Sequence, residues 1–399
     1  MYTTAQPQTQ SVHLTDKNAE IIKATLPIVG GAIEDITPVF YRTMFGNHPE
    51  LIADLFNRGN QRSGEQQKAL AASIATFAAM LVDPDAPDPR EMLSRIGHKH
   101  VSLGITEDQY QIVHDNLFAA IVEVLGEETV TPEVAAAWDE VYWLMAKVLI
   151  DFERDLYRSA GVEDGDVFRD VTLDSTRQLS ERVTEFTFTG VDFSGALPGQ
   201  YVSIGVTLPD GARQLRQYSL TNTTADAFSI AVQRDGEVSS FLMDEVNPGD
   251  TVQATLPAGD LVLQPGEEPV VLVSQGIGST PMTGMLAALV ADGSGRAVTV
   301  IHGDAAAASY AQREVTDLHV KALAERGEAK HVVRYRDAGD TVDLAALLEA
   351  SDVQPGARWY LCGGNTFLQD VRGQLAEHAA RLRPAGVHYE LFSPNDWLI

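Results

Sequence analysis

The 399-residue chain contains one cysteine, Cys362. A single thiol cannot build a disulfide framework within the chain, a cysteine-based zinc site or a protein-held iron–sulfur cluster, so redox work must use another cofactor. Long apolar runs are also missing, and none approaches the roughly 20 residues needed to span a bilayer. The opening MYTTAQPQTQSVH has neither the basic nor the apolar region of a secretion signal, so a soluble, cytoplasmic protein is expected. Positive charge is scarce: 29 Lys and Arg stand against 56 Asp and Glu, a net charge of -27. This balance disfavours nucleic acid and stable association with anionic membranes, and leaves small molecules as the expected partners.

What is present falls into three textures. From about Asp16 to Tyr157 the periodic stretches are helical, with strong helix formers and with Pro or Gly at the breaks. After Gly161 come short β-type runs, RVTEFTFTG, GQYVSIGVTL, RQYSLT and AFSIAVQR, separated by turn residues as in a small antiparallel barrel. From EPVVLVSQGIGSTP onward, apolar strands alternate with helices, as a parallel α/β sheet requires. AGVEDGD and LQPGEEP are the joints. The expected layout is a polar segment 1–14, an all-α domain 15–159, an antiparallel β-barrel 160–265 and a parallel-sheet α/β domain 266–399.

In RIGHKHVSLG, Arg95 to Gly104, two histidines lie two apart. On a helix that spacing turns through about 200°, so the rings face opposite sides and cannot share a metal. VDPDAPDPR breaks the chain before Arg90, and Gly104 with the capping box Thr106 to Gln109 ends the segment. In the short helix between, His100 falls on the side of Met92, Leu93, Ile96 and Leu103, and His98 on the outer side with Arg95 and Ser102. An inward histidine is either a core residue satisfied by backbone or water, or a ligand.

The C-terminal part carries three constellations. VVLVSQGIGSTPMTGML is a buried strand, a turn with Gly276 and Gly278, and a helix beginning near Pro281, where free backbone N–H groups favour a pyrophosphate. RQYSLTN sets Arg216 and Tyr218 on one side of a strand and Ser219 on the other, so a cation can meet a phosphate while the aromatic plane stacks on a flat ring. GEVSSFL offers Gly236, Val238 and Ser239 at a helix start as a second phosphate contact. WYLCGGNTFLQD is a later strand with a Cys362-Gly363-Gly364 turn, and the chain ends in HYELFSPNDWLI. Each also reads as an ordinary strand, turn or helix start.

Together, over about Asp166 to Ile399, these motifs resemble the ferredoxin reductase-like family of flavin and nicotinamide reductases. The resemblance implies FAD on the Arg-x-Tyr-Ser motif and a nicotinamide dinucleotide on the Gly-x-Gly-x-x-Pro turn. The family's Cys-Gly-Pro is here Cys-Gly-Gly, a looser turn at the same place. Many such reductases carry a four-cysteine ferredoxin module; with one cysteine, electrons must leave through the helical third. There, Gln66, Leu70, Ile74, Phe77 and Leu81 share a face, Tyr41 lies on a stripe with Met44 and Phe45, and Tyr110 on one with Val113, Leu117 and Val124. The longest helix runs Val134, Trp138, Val141, Met145, Val148, Phe152 and then Asp155, a carboxylate that needs a partner.

The helical third resembles the globin domain of flavohaemoglobins, which have this order of globin, FAD barrel and nicotinamide domain. The resemblance implies haem b on a proximal His100, with Tyr41, Gln66 and Leu70 on the distal side and Lys99 near the flavin. It implies a proximal relay through Tyr110 and an acid, Asp155 by ungapped reading or Glu153 two residues earlier. It further implies cofactor contacts at Tyr201, Arg216, Gln217, Tyr218, Ser219, Gly236, Val238 and Ser239. The nucleotide turn follows with Gly276, Ile277, Gly278, Ser279, Thr280 and Pro281, then Cys362, Gly363, Leu391, Phe392, Ser393 and Pro394. The implied activity is a nitric oxide dioxygenase, a monomer taking NO and O2. An O2-storing or sensing globin and a flavin-dependent peroxide or ferric reductase stand as alternatives. NADH is the preferred donor because no tight Ser/Arg cluster for a 2′-phosphate follows AVTVIH; Arg313 leaves NADPH open.

Overall fold

A computed structural model describes residues 13–54, 65–83, 89–350 and 352–392. The chain forms two compact units, Met1–Phe168 with Thr207–Arg216, and Arg169–Val206 with Gln217–Ile399. The first contains helices α1 (Asp16–Gly31), α2 (Ile33–Asn47), α3 (Pro49–Asp54), α4 (Glu65–Val82), α5 (Pro89–Val101), α6 (Glu107–Leu125) and α7 (Pro132–Ala160). Local chemistry sets the bounds of α7. Pro132 sits in its first turn, the Val134 N–H donates to the Thr131 hydroxyl, and Gly161 closes it in the left-handed region at φ 73°. Between these ends a stripe including Trp138, Val141, Met145, Leu149 and Phe152 is buried. It packs with Ile22 of α1, Phe40 and Met44 of α2, Phe77 of α4 and Leu117 of α6 in one core. Each fully buried side chain of this kind stabilises the unit by roughly 1.5–3 kcal/mol. Among the described residues no helix is long and apolar enough to cross a membrane.

Elsewhere, β1 (Phe168–Ser180), β2 (Val183–Thr189), β3 (Tyr201–Thr207), β4 (Arg213–Thr223), β5 (Ala227–Gln233) and β6 (Thr251–Thr255) close into a barrel in the order β1-β2-β5-β4-β3-β6. Helix α8 (Glu237–Asp244) follows β5. The four runs read from alternation match β2 to β5; β1 and β6 are additional, and β1 escapes notice because RDVTLDSTRQ is mostly polar and largely exposed.

The parallel sheet has the order β11-β10-β7-β8-β9. Its strands are β7 (Val270–Gln275), β8 (Val298–Asp304), β9 (Ala329–Tyr335), β10 (Arg358–Gly363) and β11 (Gly386–Leu391). Around it lie α9 (Ser279–Ala291), α10 (Arg313–Ala324), α11 (Leu344–Glu349), α12 (Asn365–Glu377) and the short α13 (Ala379–Leu382). The run VVLV in β7 is apolar throughout because both faces are covered: Val270 and Leu272 pack with Met282, Leu286 and Leu323, and Val271 and Val273 with Leu347, Leu368 and Val371. Two glycines let barrel backbone and α9 approach closely: a Cβ at Gly284 of α9 would stand 2.3 Å from the Leu220 carbonyl oxygen, and one at Gly199 would stand 2.5 Å from Met285 Cε.

Candidate functional site

In the first unit the site is built where α5, α6 and α7 meet. Gly97 allows the approach of α5 to α7, since a Cβ there would lie 2.4 Å from the Phe152 ring. One turn on, His100 Nδ1 lies 2.7 Å from Glu153 Oε1 and 3.0 Å from the Tyr110 hydroxyl oxygen. Tyr110 donates to the same Glu153 oxygen at 2.6 Å. Burial, and then the Glu153 carboxylate, push the Tyr110 phenol far above its ordinary value, so it remains a donor. An acceptor-only carboxylate at Nδ1 keeps the proton on that nitrogen and leaves the lone pair on Nε2. No described residue takes up that Nε2 by a hydrogen bond. An oriented imidazole whose second nitrogen has no partner among the described residues, beside an apolar core, has the donor chemistry of a haem-iron ligand.

The acid of this triangle is Glu153 and not Asp155. Glu153 is 3% exposed, whereas Asp155 forms a surface pair with Arg158 at 2.7 Å. The buried side of α7 runs from Val141 and Met145 to Leu149 and Glu153, because a strict three-four alternation averages 3.5 residues per turn and lags the helix by about 20° every seven residues, so that by Asp155 it has left the buried side. A second correction concerns Ser102, expected outside: it is fully buried and donates to the Lys99 carbonyl oxygen at 2.8 Å. The helix stops at Val101, so Ser102 no longer follows its angular order. His98 lies against Phe152, ring centroids 5.4 Å apart, and Lys99 is half-buried. Gln109 does cap its helix, accepting from the Thr106 N–H at 3.1 Å. Tyr41, expected on the distal side, is 3% exposed, packed on Phe40 and Phe45, and shares the core with Leu70 and Tyr110. The Gln66 side chain lies outside the described residues.

The second unit brings the C-terminal motifs together. Gly276 has φ 55°, a conformation that favours glycine. A Cβ at Gly278 would stand 2.5 Å from the Cys362 carbonyl oxygen and 3.0 Å from the Gly363 nitrogen, so the two glycine turns touch backbone to backbone. Register aligns Cys362 with Ser274 and with Glu390, and Gly363 with Leu391, at the carboxyl edge of the sheet where open α/β folds bind ligands. Glu390 was not singled out from the sequence; its strand neighbour Cys362 is the signal, and pairing across strands reveals it. Phe392 is exposed, and Ser393 and Pro394 lie outside the described residues.

Several hydroxyls expected on ligand are engaged at home. Ser279 lies 3.0 Å from the Gly276 carbonyl oxygen, Thr280 donates to that of Ile277, and Thr283 to that of Ser279. Ser239 accepts from the Asp235 and Gly236 N–H groups. Pro281 falls in the first turn of α9 and Val238 is buried behind α8. In β4, Arg216 donates to the Leu215 carbonyl, Gln217 to the Ser203 hydroxyl, and Tyr218 is half-buried. Ser219 Oγ is buried with no hydrogen-bond partner among the described residues, an orphaned group that a ligand would satisfy. Tyr201 is buried under Gly259, where a Cβ would stand 2.9 Å from its ring. Arg313 holds the Tyr335 hydroxyl at 2.6 Å and Asp317 at 3.4 Å.

Residues 39–149 match the globin family. The chain is 38% identical over 384 residues to a flavohemoprotein of Bordetella parapertussis, a match covering 90% of this chain and 93% of that relative. A crystal structure of flavohemoglobin from Malassezia yamatoensis with bound FAD and heme matches with a TM-score of 0.85 at 33% identity, over 95% of this chain and 100% of that one. The flavohem-like FAD/NAD binding domain of a nitric oxide dioxygenase from Vibrio cholerae matches 56% of this chain and 98% of its own length, with a TM-score of 0.50 and 30% identity.

Proposed function

We propose, from the premise that this chain belongs to the flavohemoprotein family, that it is an NAD(P)H-dependent nitric oxide dioxygenase converting NO and O2 to nitrate. The observation carrying the reading is the triangle of His100, Glu153 and Tyr110, an imidazole held by a buried acid on the same polypeptide as a reductase unit. The working divisions are a globin part at 15–159, a flavin barrel at 160–265 and a nucleotide part at 266–399.

The residues fit the groups they are assigned. His100 Nε2 would hold haem iron; Ser219, Arg216 and Tyr218 would hold FAD; the turn Gly276–Pro281, backed by Gly363, would hold the dinucleotide. When bound, these groups supply hydride acceptance, one-electron transfer and the reaction of O2 with NO. The protein contributes positioning and tuning. Glu153 fixes the His100 tautomer and makes the ring more electron-donating, and Tyr110 supports the carboxylate. Tyr41 would provide a donor to the bound gas and Leu70 would limit access to small molecules, with Gln66 given the same donor role by the family resemblance alone. Ser219 would offer its unpartnered hydroxyl to the flavin cofactor, and the start of α9 would offer backbone N–H groups to a pyrophosphate.

The test is an anaerobic absorption spectrum before and after NADH, joined to NO consumption under air. Flavin bleaching, a Soret shift to the ferrous form and NADH-dependent NO loss are expected. His100→Ala should abolish the Soret band and NO consumption while flavin reduction by NADH persists. Undiminished NO consumption in that variant would refute the assignment.

A further inference from the structure

At the start of α9, the hydroxyls of Ser279, Thr280 and Thr283 all turn back toward the backbone. Of the three, Ser279 has a side-chain partner as well: its hydroxyl is placed to donate to Gln312 Oε1 at 2.6 Å, and Gln312, which immediately precedes α10, is 2% exposed. A serine hydroxyl has one hydrogen and cannot donate both to that amide and to the Gly276 carbonyl 3.0 Å away. The proton count closes when the Gln312 amide nitrogen donates to Ser279 and Ser279 donates onward to Gly276. The structure places the amide the other way, with Oε1 toward Ser279, and leaves Nε2 buried without a partner among the described residues, an arrangement that costs stability. An apolar side chain of the same length would avoid that cost at this position.

We propose that Gln312 is a positioning residue for the nicotinamide dinucleotide. Through Ser279 it holds the Gly276–Gly278 turn in the conformation that receives the pyrophosphate, and its remaining N–H is completed when nucleotide or nucleotide-ordered water occupies the site. The inference rests on the nucleotide-binding reading of that turn.

Gln312→Met in the full-length, FAD-loaded protein tests it, because methionine keeps length and volume and removes the amide. The KM for NADH in flavin reduction should rise about fivefold, the equivalent of about 1 kcal/mol, with kcat unchanged. The melting temperature should hold or rise, since a buried unsatisfied group has gone. Ser279→Ala should raise KM similarly, and the double variant should add little, because both act on one link. An unchanged KM in Gln312→Met would overturn the proposal, as would a KM rise accompanied by a fall in melting temperature, which marks simple structural support. Wild-type protein whose flavin NADH does not bleach would instead sink the nucleotide reading beneath it.

Discussion

Replacing Glu153 with Gln keeps the shape of the proximal triangle and removes its charge. One oxygen of Glu153 accepts from both Tyr110 and His100, at 2.6 and 2.7 Å. A hydrogen bond to a charged group contributes about 1.5–3 kcal/mol and a neutral one about 1 kcal/mol. Weakening two such bonds therefore costs about 1–4 kcal/mol, roughly fivefold to a thousandfold in retention of a group held through His100. The range overlaps the tenfold to hundredfold typical of partners behind a metal-ligating histidine, about 10–100. The assay is the rate of haem transfer from the loaded protein to excess apo-globin, with the iron–histidine stretching frequency as a second readout; transfer should quicken and the frequency fall. Asp155→Asn is the control, since that side chain is 37% exposed and pairs with Arg158 on the helix surface. Its effect should stay below about 1 kcal/mol. Equal effects of the two substitutions, or a larger one at Asp155, would refute the assignment of the acid.

Tyr41→Phe should speed O2 dissociation about fivefold, the loss of one hydrogen bond of about 1 kcal/mol; an unchanged off-rate measured by flash photolysis counts against a distal role. Gly278→Ala forces a Cβ to within 2.5 Å of the Cys362 carbonyl oxygen, and the neighbour is strand backbone that cannot swing aside. The expected cost is about 1–3 kcal/mol in stability, with weaker NADH binding, and calorimetry showing no loss would contradict the close packing of the two turns. His302 is fully buried, and desolvation holds its imidazole below the ordinary value despite the Asp304 carboxylate 3.2 Å away. A depressed base stays neutral in the fold and binds its proton on unfolding. Its stability contribution is complete above the unfolded value, about 6.5, and is lost as pH falls toward the folded one. The thermal midpoint should therefore drop below about pH 6.5 with a shallower slope in His302→Gln, and identical slopes would exclude His302 as a source.

The helical third, four barrel strands and the strand-turn-helix units of the parallel sheet were legible because each rests on periodicity or on turn chemistry within a dozen residues. The polar strand β1 was not, since its apolar face is confined to Val171 and Leu173 and the rest is exposed polar sequence held by its pairing with β2. Among site residues, His100 and Tyr110 were readable as inward positions on short helices. Glu153 was ambiguous with Asp155 because a 3.5-residue repeat read from Val134 to Asp155 accumulates about 60° of angular drift, enough to carry its last position off the buried side.

Sequence by itself determined which chemistries were open: one cysteine excluded a protein-held iron–sulfur centre, and the glycine-bearing strand ends marked where a nucleotide could approach. Only the tertiary structure decided which carboxylate meets His100, that the Gly278 and Cys362 turns touch, and that Gln312 backs Ser279. Local spacing encodes the direction of a side chain from its own helix or strand. Which group meets it across the gap depends on the approach of a second element, and that approach is set by residues such as Gly97 and Gly278, whose contribution is the space they leave.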